Sequence, residues 1–239
     1  MNPLSSRLLP FRYFSDRRLE TYYRRTLNDR ALADRWSAHY LGGLPIAPGA
    51  LVLDHGCGRG RHTALLSQLG FDVCAQDVAR HAWWGSLQAR FQTVPPNATK
   101  LPWADRVFSL MLDVEVLHYA NEAQLEQFAR EAFRVLAPGA FWVTLEANDR
   151  GYGAFLPKRF MGRLHSLARV RDLATRAGFA EVDVRYEGFY APFLPRLVDF
   201  ARKQGWPGPL DVSDFGSWLE SKTPDERRAL WCLRLQKPA

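Results

Sequence analysis

A glycine-rich segment at residues 54–60, with the sequence DHGCGRG, carries the residue types that most directly suggest chemistry. It follows the short apolar run at residues 51–53 and precedes a segment with the leucine spacing of a helix. Glycines between a strand and a helix let the backbone approach a ligand more closely than larger side chains would allow. The segment therefore predicts a ligand site at the carboxyl end of a strand.

Two common ligands of such loops are excluded by the spacing. A dinucleotide fingerprint needs glycines in the order GxGxxG, but Arg61 and Thr63 occupy the third glycine position in the two frames that start at Gly56 and Gly58. No Gly-Lys-Ser/Thr sequence follows, so the segment does not match a P-loop either.

The glycine segment resembles motif I of class I S-adenosylmethionine-dependent methyltransferases, in which an acidic residue and a GxGxG loop hold the cofactor. The landmarks of that family follow in order: Asp77 after a second apolar run, Asn97-Ala98 before Leu101-Pro102-Trp103, FSLMLDVEVLHY at 108–119, RVLAPG at 134–139 and AGF at 177–179. The nearest subgroup is the type 11 methyltransferases, similar to quinone-biosynthesis methyltransferases. The resemblance covers roughly residues 50–186.

The resemblance implies S-adenosylmethionine as the cofactor and assigns the residues that bind it. Asp77 would hold the ribose, because one carboxylate can accept hydrogen bonds from two neighbouring hydroxyl groups. Asn97 and Ala98 would lie beside the adenine, and Asp113 would help to hold the methionine end. Asn97 stands where the family usually has aspartate, but its amide oxygen can still accept from the adenine amino group. The glycine segment would contribute its own five contacts: Asp54, Gly56, Cys57, Gly58 and Gly60.

The implied reaction moves a methyl group from a sulfonium to a nucleophile, which requires alignment, exclusion of water and, for some acceptors, a base. His118 is the first candidate for that base, since imidazole titrates near neutral pH. The alternative is that His118 begins a helix and only packs. Glu146, at the end of a fifth strand, is a second candidate for contact with the acceptor. Glu115 is expected to be solvated, and no metal-ligand cluster is evident.

Strands and helices alternate along the part of the chain that must position these residues. Helical apolar patterns occur near Leu65, around Trp83-Trp84, at 125–136 and at 167–177, with Pro138-Gly139 and Gly178 ending the last two. Apolar runs predict strands at 51–53, 71–75, 91–94, 107–112, 141–145, 182–186 and 229–235. This order predicts an α/β Rossmann-like fold with a mostly parallel seven-stranded sheet and helices on both faces.

Two segments have no counterpart in the resemblance. Residues 1–46 are predicted to form an N-terminal helical extension, a lid or a cap, because Leu32, Trp36 and Tyr40 recur every four positions. The remaining residues, 47–239, form the methyltransferase domain, with a proline- and aromatic-rich insertion at about 187–226.

The charge pattern favours anionic partners, and the alternative is a solvated surface with no particular partner. The net charge is +7, and residues 1–41 carry eight arginines against four acids. We expect a small-molecule acceptor, which this charge would allow to be anionic, methylated at oxygen, nitrogen or carbon. An RNA methyltransferase with a basic N-terminal surface is a less favoured alternative, and a non-catalytic protein of the same fold is another. The sequence predicts no oligomeric state.

Cysteine usage and hydropathy suggest where the protein acts. The three cysteines are scattered and form neither a CxxC pair nor a zinc-binding spacing. No apolar run is long enough for a membrane span, and the short run after Arg7 is too short for a signal peptide. We therefore expect a cytoplasmic protein.

Overall fold

The computed structural model describes residues 37–96, 98, 100–150, 164–187, 202–205, 222–228 and 230–239. They form a seven-stranded sheet of order β3-β2-β1-β4-β5-β7-β6, in which β7 is antiparallel to both neighbours and the other pairs are parallel. The strands are β1 (Leu51–His55), β2 (Asp72–Asp77), β3 (Arg90–Thr93), β4 (Phe108–Val114), β5 (Leu136–Ala147), β6 (Ala180–Glu187) and β7 (Leu230–Gln236). The helices are α1 (Arg61–Gln68), α2 (Glu122–Val135) and α3 (Leu167–Ala177). The predicted fold class is confirmed.

The sheet is buried on both faces, as its continuous apolar runs predict. Leu53 and Met111 belong to one core cluster, which includes apolar side chains of α2 and α3. Their neighbours Val52 and Leu110 point to the other face and pack with Leu65 and Leu66 of α1. Helices on both faces leave the carboxyl ends of the parallel strands as the edge where a ligand can bind.

The end of α2 differs from its prediction. The helix ends at Val135, and β5 begins at Leu136 and continues through Pro138 and Gly139, which were predicted to separate the two elements. Pairing with two neighbours explains this early start: Leu136 pairs with Phe108 of β4, and the Gly139 N–H donates to the Lys237 carbonyl at 2.9 Å. At the end of α3 the prediction is confirmed, since Gly178 adopts φ 107° at the helix terminus.

The predicted helix around Trp83 and Trp84 is also wrong, because only a short 3-10 turn forms there, over Ala82–Ser86. Trp84 is buried and stacks on Phe91 of β3 with ring centroids 4.7 Å apart. The turn therefore serves to place one indole beneath the glycine loop.

The chain before β1 is joined to the far edge of the sheet. Residues 37–40 are helical, and Tyr40 is buried in the cluster on the α1 side. Arg234 Nη1 donates to the Gly42 carbonyl at 2.8 Å, and Arg185 Nη2 donates to the same carbonyl at 3.2 Å. Leu32 and Trp36, and most of the insertion at 187–226, lie outside the described residues. Within the described part of the chain, no helix has the length and apolar character needed to cross a membrane.

Candidate active site

Five polar residues lie where the parallel strands β1, β2, β4 and β5 end. In the strand register, His55 at the end of β1 lies between Gln76 of β2 and Asp113 of β4. Asp77 ends β2, and Glu146 lies one residue before the end of β5. This is the edge at which open parallel sheets bind their ligands.

The glycine loop after β1 combines left-handed backbone with close packing. Gly56, Gly58 and Gly60 have φ of 65°, 52° and 92°. A Cβ atom on Gly56 would lie 2.3 Å from Val116 Cγ2, and one on Gly60 would lie 2.3 Å from Leu87 Cδ1. A Cβ atom on Gly58 would meet no described atom within 4 Å. The two outer glycines are thus packed by the protein, and the central glycine faces open space.

Hydrogen bonds from β2 and from Trp84 hold the loop in this conformation. The Gly58 N–H donates to Asp77 Oδ2 at 2.8 Å, and Trp84 Nε1 donates to the Gly58 carbonyl at 2.8 Å. The Cys57 N–H donates to the Gln76 carbonyl at 2.9 Å. Burial, reinforced by the charge of Asp54, raises the pKa of the Cys57 thiol far above its usual range, so this cysteine is a packed neutral thiol.

Asp54 and Asp77 have different surroundings. Asp54 is buried and accepts from Thr63 Oγ1 at 2.5 Å, and burial raises its pKa to about 7. It therefore fixes the first turn of α1 against β1. Asp77 is half-buried, and each of its oxygens accepts one backbone N–H, from Gly58 and from Ala79. Because a carboxylate oxygen has two lone pairs, Asp77 can still accept from ligand hydroxyl groups.

Asp113 has protein partners for both of its carboxylate oxygens. His55 Nδ1 lies 2.9 Å from Oδ1, and Trp142 Nε1 donates to Oδ2. The side chain is fully buried, and burial raises its pKa. Because Asp113 is fully buried, its geometry disfavours a direct contact with the methionine end of a cofactor. Asp113 instead orients the His55 ring.

His118 and Glu146 form a buried pair at the ends of β4 and β5. Glu146 Oε1 accepts the N–H groups of Val116 and Leu117, both at 2.7 Å, and Oε2 lies 3.1 Å from His118 Nδ1. Burial opposes a charge on the His118 ring, but the Glu146 carboxylate outweighs burial and raises the pKa of His118. Since the carboxylate can only accept, Nδ1 carries the proton and Nε2 is the nitrogen that can act as a base.

Glu115 was expected to be solvated, but its carboxyl group is buried. Its Oε1 atom is buried and has no hydrogen-bond partner within the described part of the chain. Burial raises the pKa of its carboxyl group to about 8. Glu115 also has φ 58°, an uncommon conformation for a residue other than glycine. An acid directly after a buried strand is the only signal in the sequence, and it does not show that the chain turns the side chain inward.

The loop expected beside the adenine is anchored to α2. Arg134 donates to the carbonyls of Leu101 and Trp103 at 3.1 and 2.9 Å, and Glu131 accepts the Leu101 N–H at 2.7 Å. Ala98 is exposed, and its N–H donates to the Pro95 carbonyl at 3.0 Å. Asn97, and with it the predicted contact to adenine, lies outside the described residues.

The geometry fits the cofactor that the motifs imply. Gly58 offers backbone next to open space, and Asp77 places free lone pairs beside that glycine. The cradle of glycine backbone and carboxylate therefore suits a ligand with neighbouring hydroxyl groups.

Comparison with known proteins agrees with this site. Residues 53–144 match the family described as "Methyltransferase domain". The chain is 35% identical over 111 residues to a sterol methyltransferase-like 2 of Botryococcus braunii, and 31% identical over 131 residues to an uncharacterized methyltransferase of Synechocystis. These matches cover 43% and 51% of this chain but only 28% and 59% of the two relatives.

Solved structures share the fold at low sequence identity. The [4+2]-cyclase SpnF has a TM-score of 0.60 at 19% identity, with 87% of this chain and 80% of that chain covered. The geranyl diphosphate C-methyltransferase of Streptomyces coelicolor has a TM-score of 0.59 at 13% identity, with the same coverage. At these identities the likeness shows the fold alone.

Residues 53–144 are matched as a methyltransferase domain, and the fold and glycine loop around them are those of class I methyltransferases, which use S-adenosylmethionine as the cofactor. Within that class, residues 53–144 carry the methyltransferase domain of the type 11 group that the motifs predict.

Replacing Gly58 with alanine is expected to weaken cofactor binding by more than 10-fold, because the new methyl group would occupy the open space that the backbone faces. The left-handed backbone adds a loss of about 1–2 kcal/mol in folding free energy. Gly49→Ala is the matched control, since Gly49 has φ 75° with no described atom within 4 Å of its Cβ position but precedes β1. Calorimetric titration with S-adenosylhomocysteine measures the affinity, and equal affinities of the two variants would contradict the expectation.

Proposed function

We propose that the protein transfers the methyl group of S-adenosylmethionine to a small-molecule acceptor by direct in-line displacement. One observation carries the proposal: the open cradle at Gly58 and Asp77 lies at the same sheet edge as the buried His118–Glu146 pair. The first arrangement can hold a cofactor, and the second can remove a proton from an acceptor.

The bound cofactor supplies a methyl group that its positive sulfur has already activated. The chain has three tasks: to orient the cofactor, to align the acceptor and to take up a proton where the acceptor loses one. We assign the ribose hydroxyls to Asp77 and the adenine to the loop that contains Asn97 and Ala98. His118 Nε2 accepts the proton, and Glu146 is a positioning residue that fixes the ring by its bond to Nδ1.

The acceptor site lies, in this proposal, beyond the end of β5. A cavity of about 190 Å³ opens there, and its charged lining residues are two arginines, Arg150 and Arg171, and two acids, Asp149 and Glu226. Arg171 is paired with Glu181 at 2.5 Å, whereas Arg150 is an exposed cation. A cavity of this size suits a small acceptor, and its balanced charges do not select an anionic one.

Two of the solved structures with this fold are named for small acceptors, which they methylate at different atoms. They are a geranyl diphosphate C-methyltransferase and a 1,6-didemethyltoxoflavin-N1-methyltransferase, which act on carbon and on nitrogen. A screen with tritiated S-adenosylmethionine against phenols, amines, carboxylic acids, prenyl diphosphates and tRNA tests the proposal. Transfer of label to one of the small-molecule classes supports it, and transfer to tRNA alone would contradict it.

Two other functions remain as outcomes of that screen. The chain is 29% identical over 114 residues to the Mus musculus protein named "Probable tRNA methyltransferase 9B", and its first 41 residues are rich in arginine. Methylation of tRNA that falls steeply with added salt would favour that alternative.

The [4+2]-cyclase among the similar structures shows that this fold also carries other reactions, so binding without methyl transfer would favour a non-methylating role. We place the activity in the cytoplasm, consistent with three buried free cysteines.

With the acceptor found in the screen, kcat at saturating cofactor is expected to rise with pH. His118 must be neutral to accept a proton, and its raised pKa moves that change above the ordinary value of 6.5. Glu146→Gln is expected to shift the inflection to lower pH, because the variant lacks the charge that raises the pKa of His118. An inflection at the same pH in both proteins would contradict the assignment of His118 as the base.

A further inference from the structure

Glu115 has a buried carboxyl oxygen and is the neighbour in sequence of Val116, which packs on the glycine loop. It follows β4 directly, and its N–H donates to the Leu145 carbonyl of β5 at 2.8 Å. The next residue, Val116, packs against Gly56 so closely that a Cβ atom there would lie 2.3 Å from Val116 Cγ2. The backbone of Glu115 is therefore tied to β5, and the residue that follows it packs on the glycine loop after β1.

Three charged groups from different elements act on the Glu115 carboxyl group. Arg61 at the start of α1 and His118 in the turn after β4 are the positive groups, and Glu146 of β5 is the negative one. None of them gives Oε1 a hydrogen bond within the described residues. A buried polar atom without a hydrogen-bond partner destabilises the protein. A ligand that donates a hydrogen bond to Oε1 therefore binds with the full free energy of that bond.

The order of the strands indicates which part of the cofactor reaches Glu115. The loop after β3 is assigned to the adenine and Asp77 of β2 to the ribose, and β1 and β4 follow in the sheet. Two strand spacings, about 10 Å, separate β2 from β4. A cofactor held by these residues would extend along the edge towards β4 with its methionine end foremost, and that end carries an ammonium and a carboxylate.

We propose that Glu115 binds the ammonium group of the cofactor's methionine end, in place of Asp113, which is fully buried and has a protein partner on each oxygen. A carboxylate and an ammonium form a charge-assisted hydrogen bond, which is stronger than one between neutral groups. Arg61, the cation beside Glu115, is the matching group for the methionine carboxylate. The inference rests on the proposed function in one respect, namely that the ligand is S-adenosylmethionine.

Binding through Glu115 has a consequence besides affinity. Because burial raises its pKa to about 8, Glu115 is mostly protonated in the free protein at pH 7. An ammonium partner favours the ionised form, so the carboxyl group must lose its proton when the cofactor binds. Cofactor binding at pH 7 is therefore expected to release most of one proton.

Calorimetric titration with S-adenosylhomocysteine at pH 7, repeated in buffers of different ionisation enthalpy, counts that proton. The wild-type protein is expected to release most of one proton, and Glu115→Gln to release none and to bind about 10- to 100-fold more weakly. Glutamine matches the shape and the neutral charge of the protonated side chain, so the fold is expected to persist. Glu126→Gln on the exposed face of α2 is the matched control and should behave as the wild type.

A second ligand separates loss of the ammonium contact from damage to the site. Methylthioadenosine has the adenine, ribose and sulfur of the cofactor but no ammonium, so it should bind wild type and Glu115→Gln equally. Equal affinity of the two proteins for S-adenosylhomocysteine, or weaker binding of both ligands by the variant, would overturn the inference and leave the proposed function standing. Failure of the folded wild type to bind S-adenosylhomocysteine would overturn both.

Discussion

Asp77→Ala is expected to weaken the binding of S-adenosylhomocysteine by 100-fold or more. The carboxylate serves the site twice, since it accepts the Gly58 N–H at 2.8 Å and offers its free lone pairs to the ribose. Each hydrogen bond to a charged group contributes about 1.5–3 kcal/mol, and the two ribose hydroxyls lose their acceptor together. Calorimetry measures the loss directly.

Asp72→Ala is the matched control for that experiment. Asp72 is the same residue type at the opposite end of β2, where it is exposed and pairs with Arg90 at 2.7 Å. The control should bind S-adenosylhomocysteine like the wild type. If Asp77→Ala also kept wild-type affinity, the ribose contact would have to be assigned elsewhere.

Glu146→Ala is expected to lower the free energy of unfolding by about 3 kcal/mol or more. One carboxylate satisfies the N–H groups of Val116 and Leu117 and the Nδ1 of His118, and all of them are left without an acceptor when it is removed. Water cannot easily replace it, because Glu146 is buried. Equilibrium unfolding in urea measures the change.

The comparison for Glu146 is Glu126→Ala. Glu126 lies on α2 and forms an exposed ion pair with Arg130 at 2.6 Å, and such pairs contribute less than about 1 kcal/mol. A similar loss of stability in both variants would mean that the Glu146 network does not hold the turn that carries His118.

The pattern of apolar residues predicted most of the fold, because burial on both sheet faces leaves a strong signal in the sequence. The alternation of strands and helices predicted the seven-stranded sheet, and the glycine spacing predicted a tight loop between β1 and α1. The position of Asp77 at the end of the second strand is confirmed, and its contact with the ribose stays a prediction that the resemblance implies. These features depend on residues that are close together in the sequence, so the sequence pattern alone predicts them.

Features that depend on distant partners were not predicted. Leu136 enters β5 ahead of Pro138 because β4 and the chain end after β7 pair with it. Glu146 was predicted to touch the acceptor, but its three donors all lie about 30 residues away in the turn after β4. Glu115 was expected in solvent for the same reason, since its burial follows from packing between strands.

Calorimetric titration of the wild-type protein with S-adenosylhomocysteine tests the central claim, that the loop at residues 54–60 holds this cofactor. We expect one molecule to bind per chain with a micromolar dissociation constant, and the melting temperature to rise in its presence. A folded protein that shows neither heat of binding nor a thermal shift would contradict the claim.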